Sequence, residues 1–181
     1  MNIKRSVIFG ALLLAAIALR FPHLASRPMH TDEAVHAIKF GTLLEHGTYH
    51  YDPQEYHGPT LNYFTLLPAW IASEHTLQQV TEITLRVVPA VFGVLLVALL
   101  ILYHPGLGWP ALLVASLFTA VSPAMVYYSR YYIMEILLVF FLAGTIGAGY
   151  RYLRHRRAGW AIATGVFLGL AYATKETWII F

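Results

Sequence analysis

The chain has 181 residues, 58% of them hydrophobic and 12% charged, with a mean hydropathy of +0.60 and a formal net charge of +3. Soluble domains carry roughly twice that share of charge, so the composition describes an all-α polytopic membrane protein, and so small a net charge gives no argument for nucleic acid. The absence of cysteine removes disulfides, thiolate metal sites and thiolate nucleophiles.

Lys4 and Arg5 precede an apolar run from Val7 to Leu19 that ends at Arg20. At about 1.5 Å per residue the run is short for a membrane span, but basic residues at both ends can snorkel to the interfaces, and a span over about 6–21 is expected. The competing reading is a secretory signal peptide, with a weak cleavage site at Ala25-Ser26.

Residues from about 22 to 84 are the least hydrophobic part and hold seven of the nine histidines. They open on His30-Thr31-Asp32-Glu33-Ala34-Val35-His36. Ionisable groups at a membrane boundary are costly unless they do something. The plainer alternative is a helix start, with Thr31 as N-cap and Asp32 and Glu33 complementing the helix dipole. Ala34, Ala37, Ile38, Gly41 and Leu44 recur at helical spacing, with Glu33, His36 and His46 largely off the stripe, which predicts an interfacial helix over 32–46. Gly47 ends it and Tyr49-His50-Tyr51-Asp52-Pro53 makes a turn. Glu55-Tyr56-His57-Gly58-Pro59 then leads into a second apolar stretch over 60–72.

Four further spans are expected, over about 86–103, 109–126, 133–150 and 159–174. The linker Arg151-Tyr-Leu-Arg154-His-Arg156-Arg157 is basic and carries no acid, so the positive-inside rule assigns it to the cytoplasm together with Lys4 and Arg5. Both segments are inside only if an even number of spans separates them, which holds when 60–72 does not cross. That stretch, with Asn62, Tyr63, Pro68 and Trp70, reads as a re-entrant or interfacial helix. All nine acidic residues then fall on the outer side or at outer membrane ends. Two more clusters share that face. Tyr127-Tyr128-Ser129-Arg130-Tyr131-Tyr132-Ile133-Met134-Glu135 follows Ser122-Pro123, and Thr174-Lys175-Glu176-Thr177-Trp178 follows the last span. Taken singly, these read as an aromatic belt with a snorkelling arginine and as a charge pair anchoring a helix end.

The order and spacing of these motifs, with Arg86-x-x-Pro89-x-x-x-Gly93, resemble membrane glycosyltransferases of the GT-C fold. The branch is that of the protein O-mannosyltransferases and the aminoarabinose transferase of lipid A. The spelling is nearest to a subgroup associated with flippase activity in protein glycosylation. The resemblance spans essentially all of the chain, which would be the first third or so of a full member. His104-Pro-Gly-Leu-Gly departs from the pattern, since relatives usually carry several arginines there. The resemblance implies a GT-C-like helix bundle that transfers a sugar, with inversion, from a polyprenyl-phosphate donor to a protein or lipid acceptor on the outer membrane face. By position, Asp32 matches the family's catalytic carboxylate, Glu33 its partner, and Glu135 the acid of the second outer loop. Tyr56, His57, Arg130, Tyr131, Lys175 and Glu176 become the candidates for substrate contact.

The residue chemistry is compatible with that reading. Inverting transfer needs a base for the attacking hydroxyl, and a carboxylate within hydrogen-bond reach can serve. Asp32 and Glu33 are adjacent and point about 100° apart on a helix, so Asp32 is expected as base and Glu33 as a positioning group. The leaving phosphate needs positive charge, for which Arg130 and Lys175 are the candidates. No cofactor is required by the sequence. A divalent metal such as zinc or manganese has candidate ligands in Asp32, His36, His30 and His57. The alternative function is a non-catalytic carrier of lipid-linked sugar or a flippase-associated subunit, which needs the cations but no base. A proton-relaying transporter is disfavoured because the acids sit at membrane ends, whereas transporter sites lie near the midplane.

Overall fold

The computed structural model describes residues 3–51 and 57–180, and these form helices and no strand. In order they are α1 (Ile3–Arg20), α2 (Thr31–His46), α3 (Thr60–Ile71), α4 (Glu82–Leu99), α5 (His104–Val121), α6 (Pro123–Tyr128), α7 (Glu135–His155) and α8 (Ala158–Tyr172), with short 3₁₀ turns at Leu100–Tyr103 and Glu176–Ile180. Two stretches, Glu82–Val121 and Glu135–His155, are long and apolar enough to cross a membrane. The first contains a reversal. Gly108, at φ 70° and ψ 171°, breaks the helix, and Val97 of α4 meets Ala120 of α5 in a small cluster with Ala16 of α1.

Two poles of opposite charge organise the bundle. At the basic pole Arg151 Nε donates to Leu102 O at 2.8 Å and Arg154 Nη1 to Pro105 O at 2.8 Å, so the end of α7 holds the α4–α5 reversal. At the acidic pole Lys175 Nζ, just past α8, donates to Glu135 Oε1 at the start of α7. Arg20, at the end of α1, donates to Thr119 O and Ala120 O at the end of α5. Among the described residues, α1, α4, α5, α7 and α8 thus run from pole to pole. Leu85, Val88, Phe92 and Leu96 of α4 form a stripe at helical spacing that packs on Leu137 and Phe141 of α7. Small residues let α7 approach its neighbours, since a Cβ at Gly144 would collide with the Phe167 ring of α8.

α3 differs from these five. Near its start Thr60 Oγ1 donates to Thr174 Oγ1 at 2.8 Å, and just past its end Glu74 Oε1 accepts from Thr84 Oγ1 at 2.9 Å. Both partners lie at the acidic pole. Leu61, Asn62, Thr65 and Ala69 are buried, while Tyr63, Leu67, Trp70 and Ile71 are exposed.

Three local expectations change. The N-cap of α2 is His30 rather than Thr31: its Nδ1 accepts from Asp32 N at 3.4 Å, and Glu33 Oε2 accepts from His30 N at 3.1 Å. The buried face of α2 is Glu33, Ala37, Phe40, Gly41 and Leu43, so Glu33 lies on the stripe and Ile38 is exposed. The reason is that Arg86 makes a buried position for a carboxylate. Arg20 does not snorkel but is buried, its Nε also donating to Ser129 Oγ at 3.1 Å. It satisfies carbonyls that the end of α5 leaves unpaired. Gly93 makes the room, since a Cβ there would run into Ser129 and Arg20. The expected Gly47 stop is observed, at φ 70° with its N–H bonded to Leu43 O at 2.8 Å.

Candidate active-site cleft

Adjacent carboxylates at the start of α2 have opposite fates. The Glu33 side chain is 0% exposed and the Asp32 side chain 65%. Glu33 Oε1 accepts from Arg86 Nε at 2.8 Å and Tyr132 N at 2.9 Å. Its Oε2 accepts from Arg86 Nη2 at 2.8 Å, Arg27 Nη2 at 3.1 Å and His30 N at 3.1 Å. Burial works against the charge, but the Arg86 bond, the two backbone N–H groups and the Arg86 charge outweigh it and hold Glu33 below the usual carboxylate range. Its lone pairs are committed to the fold. Arg86 also gathers the carbonyls of Leu24, Arg27 and Pro28, so the pair fixes the α1–α2 loop and, through Tyr132, the approach to α7.

Asp32 instead faces a cleft of about 350 Å³ lined by Asp32, Val35, His36, His57, Ile133 and Glu135. Tyr131 OH donates to Asp32 Oδ2 at 3.4 Å. Burial and the Asp32 charge push the Tyr131 phenol up to about 12, so it remains a donor. Its ring is buried between Tyr127 and His30, with the Arg27 guanidinium 4.9 Å from its centroid. Tyr131 therefore touches Asp32 from behind and does not line the cleft.

On the far side Glu135 and His57 line the cleft and are held by residues just past the end of α8. Lys175 Nζ bonds Glu135 Oε1 at 2.8 Å, and Glu135 Oε2 is buried with no partner among the described residues. His57 Nδ1 bonds Glu176 Oε2, and Tyr51 OH donates to Glu176 Oε1, each at 2.8 Å. Burial opposes the Glu176 charge, but its own backbone N–H and the His57 and Tyr51 bonds hold it below the usual range. Close packing supports this contact, because a Cβ at Gly58 would collide with Ala173 O. His36 is pushed below its ordinary value by burial and the neighbouring His57, against Glu135 and Asp32, and so stands neutral near pH 7.

The structure thus brings together Asp32, His57, Glu135, Lys175 and Glu176, with His36 and Tyr131 beside them. Tyr56 lies outside the described residues. Arg130 is not part of the cleft. Its guanidinium turns toward α1, donating to Leu19, Pro22 and His23 carbonyls, because that chain end leaves carbonyls in need of donors. Among the described residues no three His, Asp or Glu side chains converge as metal ligands. His36 and His57 have ring centroids 6.5 Å apart, and His30 is turned to the helix cap. The candidate metal set Asp32, His36, His30 and His57 is therefore not assembled among the described residues. Sequence reasoning gave Arg86 no role, although a lone arginine after an acid inside an apolar run signals a buried partner.

The architecture is that of the GT-C fold. The chain superimposes on the archaeal oligosaccharyltransferase AglB from Archaeoglobus fulgidus, solved in complex with an inhibitory peptide and a dolichol-phosphate. The TM-score is 0.78 at 17% identity, over 99% of this chain and 24% of that one. The likeness is one of fold, and the chain spans about a quarter of that protein's length. The family model described as dolichyl-phosphate-mannose-protein mannosyltransferase matches residues 59–181. No curated protein sequence matches the chain.

Proposed function

The chain belongs to the dolichyl-phosphate-mannose-protein mannosyltransferase family, and from that premise we propose that it carries the base-bearing cleft of an integral membrane glycosyltransferase. The enzyme moves a sugar from a polyprenyl-phosphate donor to a protein or lipid hydroxyl. Transfer is inverting: the acceptor oxygen bonds to the anomeric carbon as the bond from that carbon to the phosphate oxygen breaks. The hydroxyl proton passes to Asp32 and polyprenyl phosphate leaves. In-line geometry requires base and phosphate on opposite sides of the sugar. Asp32 on α2 supplies the first, and Lys175, held by Glu135 across the cleft, supplies positive charge for the second. Glu33 and Tyr131 act as positioning residues.

The observation that carries this reading is the division of labour at 32–33, with one carboxylate buried in the fold and its neighbour open to a polar cleft. In a bilayer, α1, α4, α5, α7 and α8 are the five spans, the acidic pole faces outward, and α2 and α3 lie along the interface. The shared pole of both ends of α3 supports that assignment.

The test is transfer from a radiolabelled polyprenyl-phosphate sugar by the full-length protein in membranes. Asp32→Asn should lower turnover by about 10²–10⁴-fold while donor lipid binding is kept. Near-full turnover by the variant would sink the base assignment. Absence of turnover by wild type and variant alike, with lipid binding intact, would favour the carrier reading.

A further inference from the structure

A second concavity, distinct from the cleft, opens on the flank of the bundle between the end of α1 and α6. It measures about 380 Å³ and is lined by apolar side chains, among them Leu19, Leu24, Val121 and Val126, together with Arg27 and Arg130. It shares no lining residue with the Asp32 cleft. We propose that this notch binds the phosphate of an anionic bilayer phospholipid, with an acyl chain lying against α1 and α5.

Charge balance is the first argument. Arg20, Arg27, Arg86 and Arg130 gather at this end of α1, and the carboxylate paired with them is Glu33, bonded by Arg86 and Arg27. Arg20 and Arg130 bond carbonyl and hydroxyl oxygens, which leave their charges uncancelled. An excess of guanidinium beside apolar surface calls for an anion.

The second argument is the donor inventory. A guanidinium has five N–H groups. Arg130 Nη2 spends its two on Pro22 O at 2.7 Å and His23 O at 3.2 Å, and Nη1 spends one on Leu19 O at 3.4 Å. The Nε–H and one Nη1–H have no protein acceptor among the described residues. The three carbonyl bonds hold the guanidinium in place. Its two remaining donors lie on different edges, because Nε pairs side-on with Nη2 as in the Arg86–Glu33 pair. Arg130 therefore offers an oxyanion a fixed charge and single N–H bonds rather than a fork.

The surface below the notch selects a lipid over a free phosphate. Leu14 and Ile17 of α1, and Leu117, Phe118 and Val121 of α5, are exposed, giving an apolar track that continues from the cationic rim. A bilayer phospholipid rather than the sugar donor is indicated by separation from the base. The Arg27 guanidinium stacks on Tyr127 and Tyr131 at 5.3 and 4.9 Å, and this stack stands between the notch and Asp32.

The experiment uses the full-length protein, delipidated and reconstituted with phosphatidylglycerol or phosphatidylcholine, with retained lipid read by native mass spectrometry. Phosphatidylglycerol should be retained in preference. Arg130→Gln should lower retention by about tenfold or more, the scale of lost charge-assisted hydrogen bonds. Because Arg130 also pins the α1–α2 loop, Val121→Trp provides a second variant that fills the notch without touching a guanidinium, and it should lower retention equally. Asp32→Asn should leave it unchanged. Full retention in Val121→Trp overturns the proposal. So does displacement by inorganic phosphate, which marks a free-anion site. Displacement by polyprenyl phosphate does so as well, since it assigns the phosphate to the donor. None of these readouts requires turnover, so they stand or fall separately from the transfer reaction.

Discussion

Replacing Arg86 by Met tests whether the buried pair with Glu33 is what holds the first loop in shape. Arg86 makes two 2.8 Å bonds to Glu33 and further bonds to the carbonyls of Leu24, Arg27 and Pro28 at 2.6, 2.9 and 3.3 Å. Methionine fills similar volume but leaves a fully buried carboxylate with Arg27 as its remaining cation, at 3.1 Å. Breaking a buried pair from one side costs about 3–5 kcal/mol, and the orphaned carbonyls add to it. The assay is equilibrium unfolding of the purified protein. Arg86→Lys should fall between wild type and Arg86→Met, because an ammonium cannot reproduce the fork. The double variant Glu33→Gln/Arg86→Met should lose less than the two single losses combined, the mark of direct coupling. The pH dependence has a definite sign. Glu33 is held below its ordinary value of 4.5 in the folded state. Its contribution is therefore fully present above about pH 4.5 and is lost as pH falls through the lower folded value. In Arg86→Met this acid-labile contribution should shrink or reverse, because burial is left to raise the Glu33 carboxyl once the Arg86 bond and charge are gone. A variant within about 1 kcal/mol of wild type, with an unchanged acid limb, would refute the reasoning.

Gly93→Ala should destabilise by about 1–3 kcal/mol in the same unfolding assay, since its Cβ would meet Ser129 and Arg20, neither of which has space to withdraw. Lys175→Met removes the cation bonded to Glu135 and so the one side-chain bond that this carboxylate makes among the described residues. Turnover of the polyprenyl-phosphate donor should drop by about 10²-fold, with partial recovery in Lys175→Arg. Gly58→Ala should push His57 away from Glu176 through the clash with Ala173 O. It should lower kcat/KM in the transfer assay while global stability falls only modestly.

Local physics was legible in the sequence where one segment supplied it. Gly47 stops α2 because a left-handed position suits glycine, and the roughly 100° between neighbours on a helix already separated Asp32 from Glu33. The order of the motifs also carried the fold. Partners distant in sequence were not legible. Arg20 read as a snorkelling end because nothing near it announces Thr119 and Ala120, 99 and 100 residues away. Arg130 read as a ligand for the leaving phosphate because an arginine on the outer face offers a charged fork, yet its guanidinium is drawn to the carbonyls at the end of α1. Thr31 is the better N-cap by propensity, but Glu33 bonded to the His30 N–H moves the boundary one residue earlier.

Whether the acidic pole faces outward depends on α3, and the absence of cysteine from the chain makes it directly testable. Twelve residues rise about 18 Å, against about 30 Å of hydrocarbon. A crossing by α3 would carry His75 away from His46. The bonds at its two ends, Thr60 to Thr174 and Glu74 to Thr84, instead return the chain to the pole it left. With α3 excluded, four spans separate Lys4 from Arg151, and the basic residues Lys4, Arg5, Arg151, Arg154, Arg156 and Arg157 share one side without an acid among them. If α3 crossed, the parity would fail and one of the two basic segments would lie outside, against the positive-inside rule. Single-cysteine variants His46→Cys, His75→Cys and Arg157→Cys, all at exposed positions, decide between these with a membrane-impermeant maleimide on intact cells. The first two should label together and Arg157→Cys only after permeabilisation. Opposite labelling of His46→Cys and His75→Cys would make α3 a span, and Asp32 could then no longer share an outer face with Glu135 and Lys175.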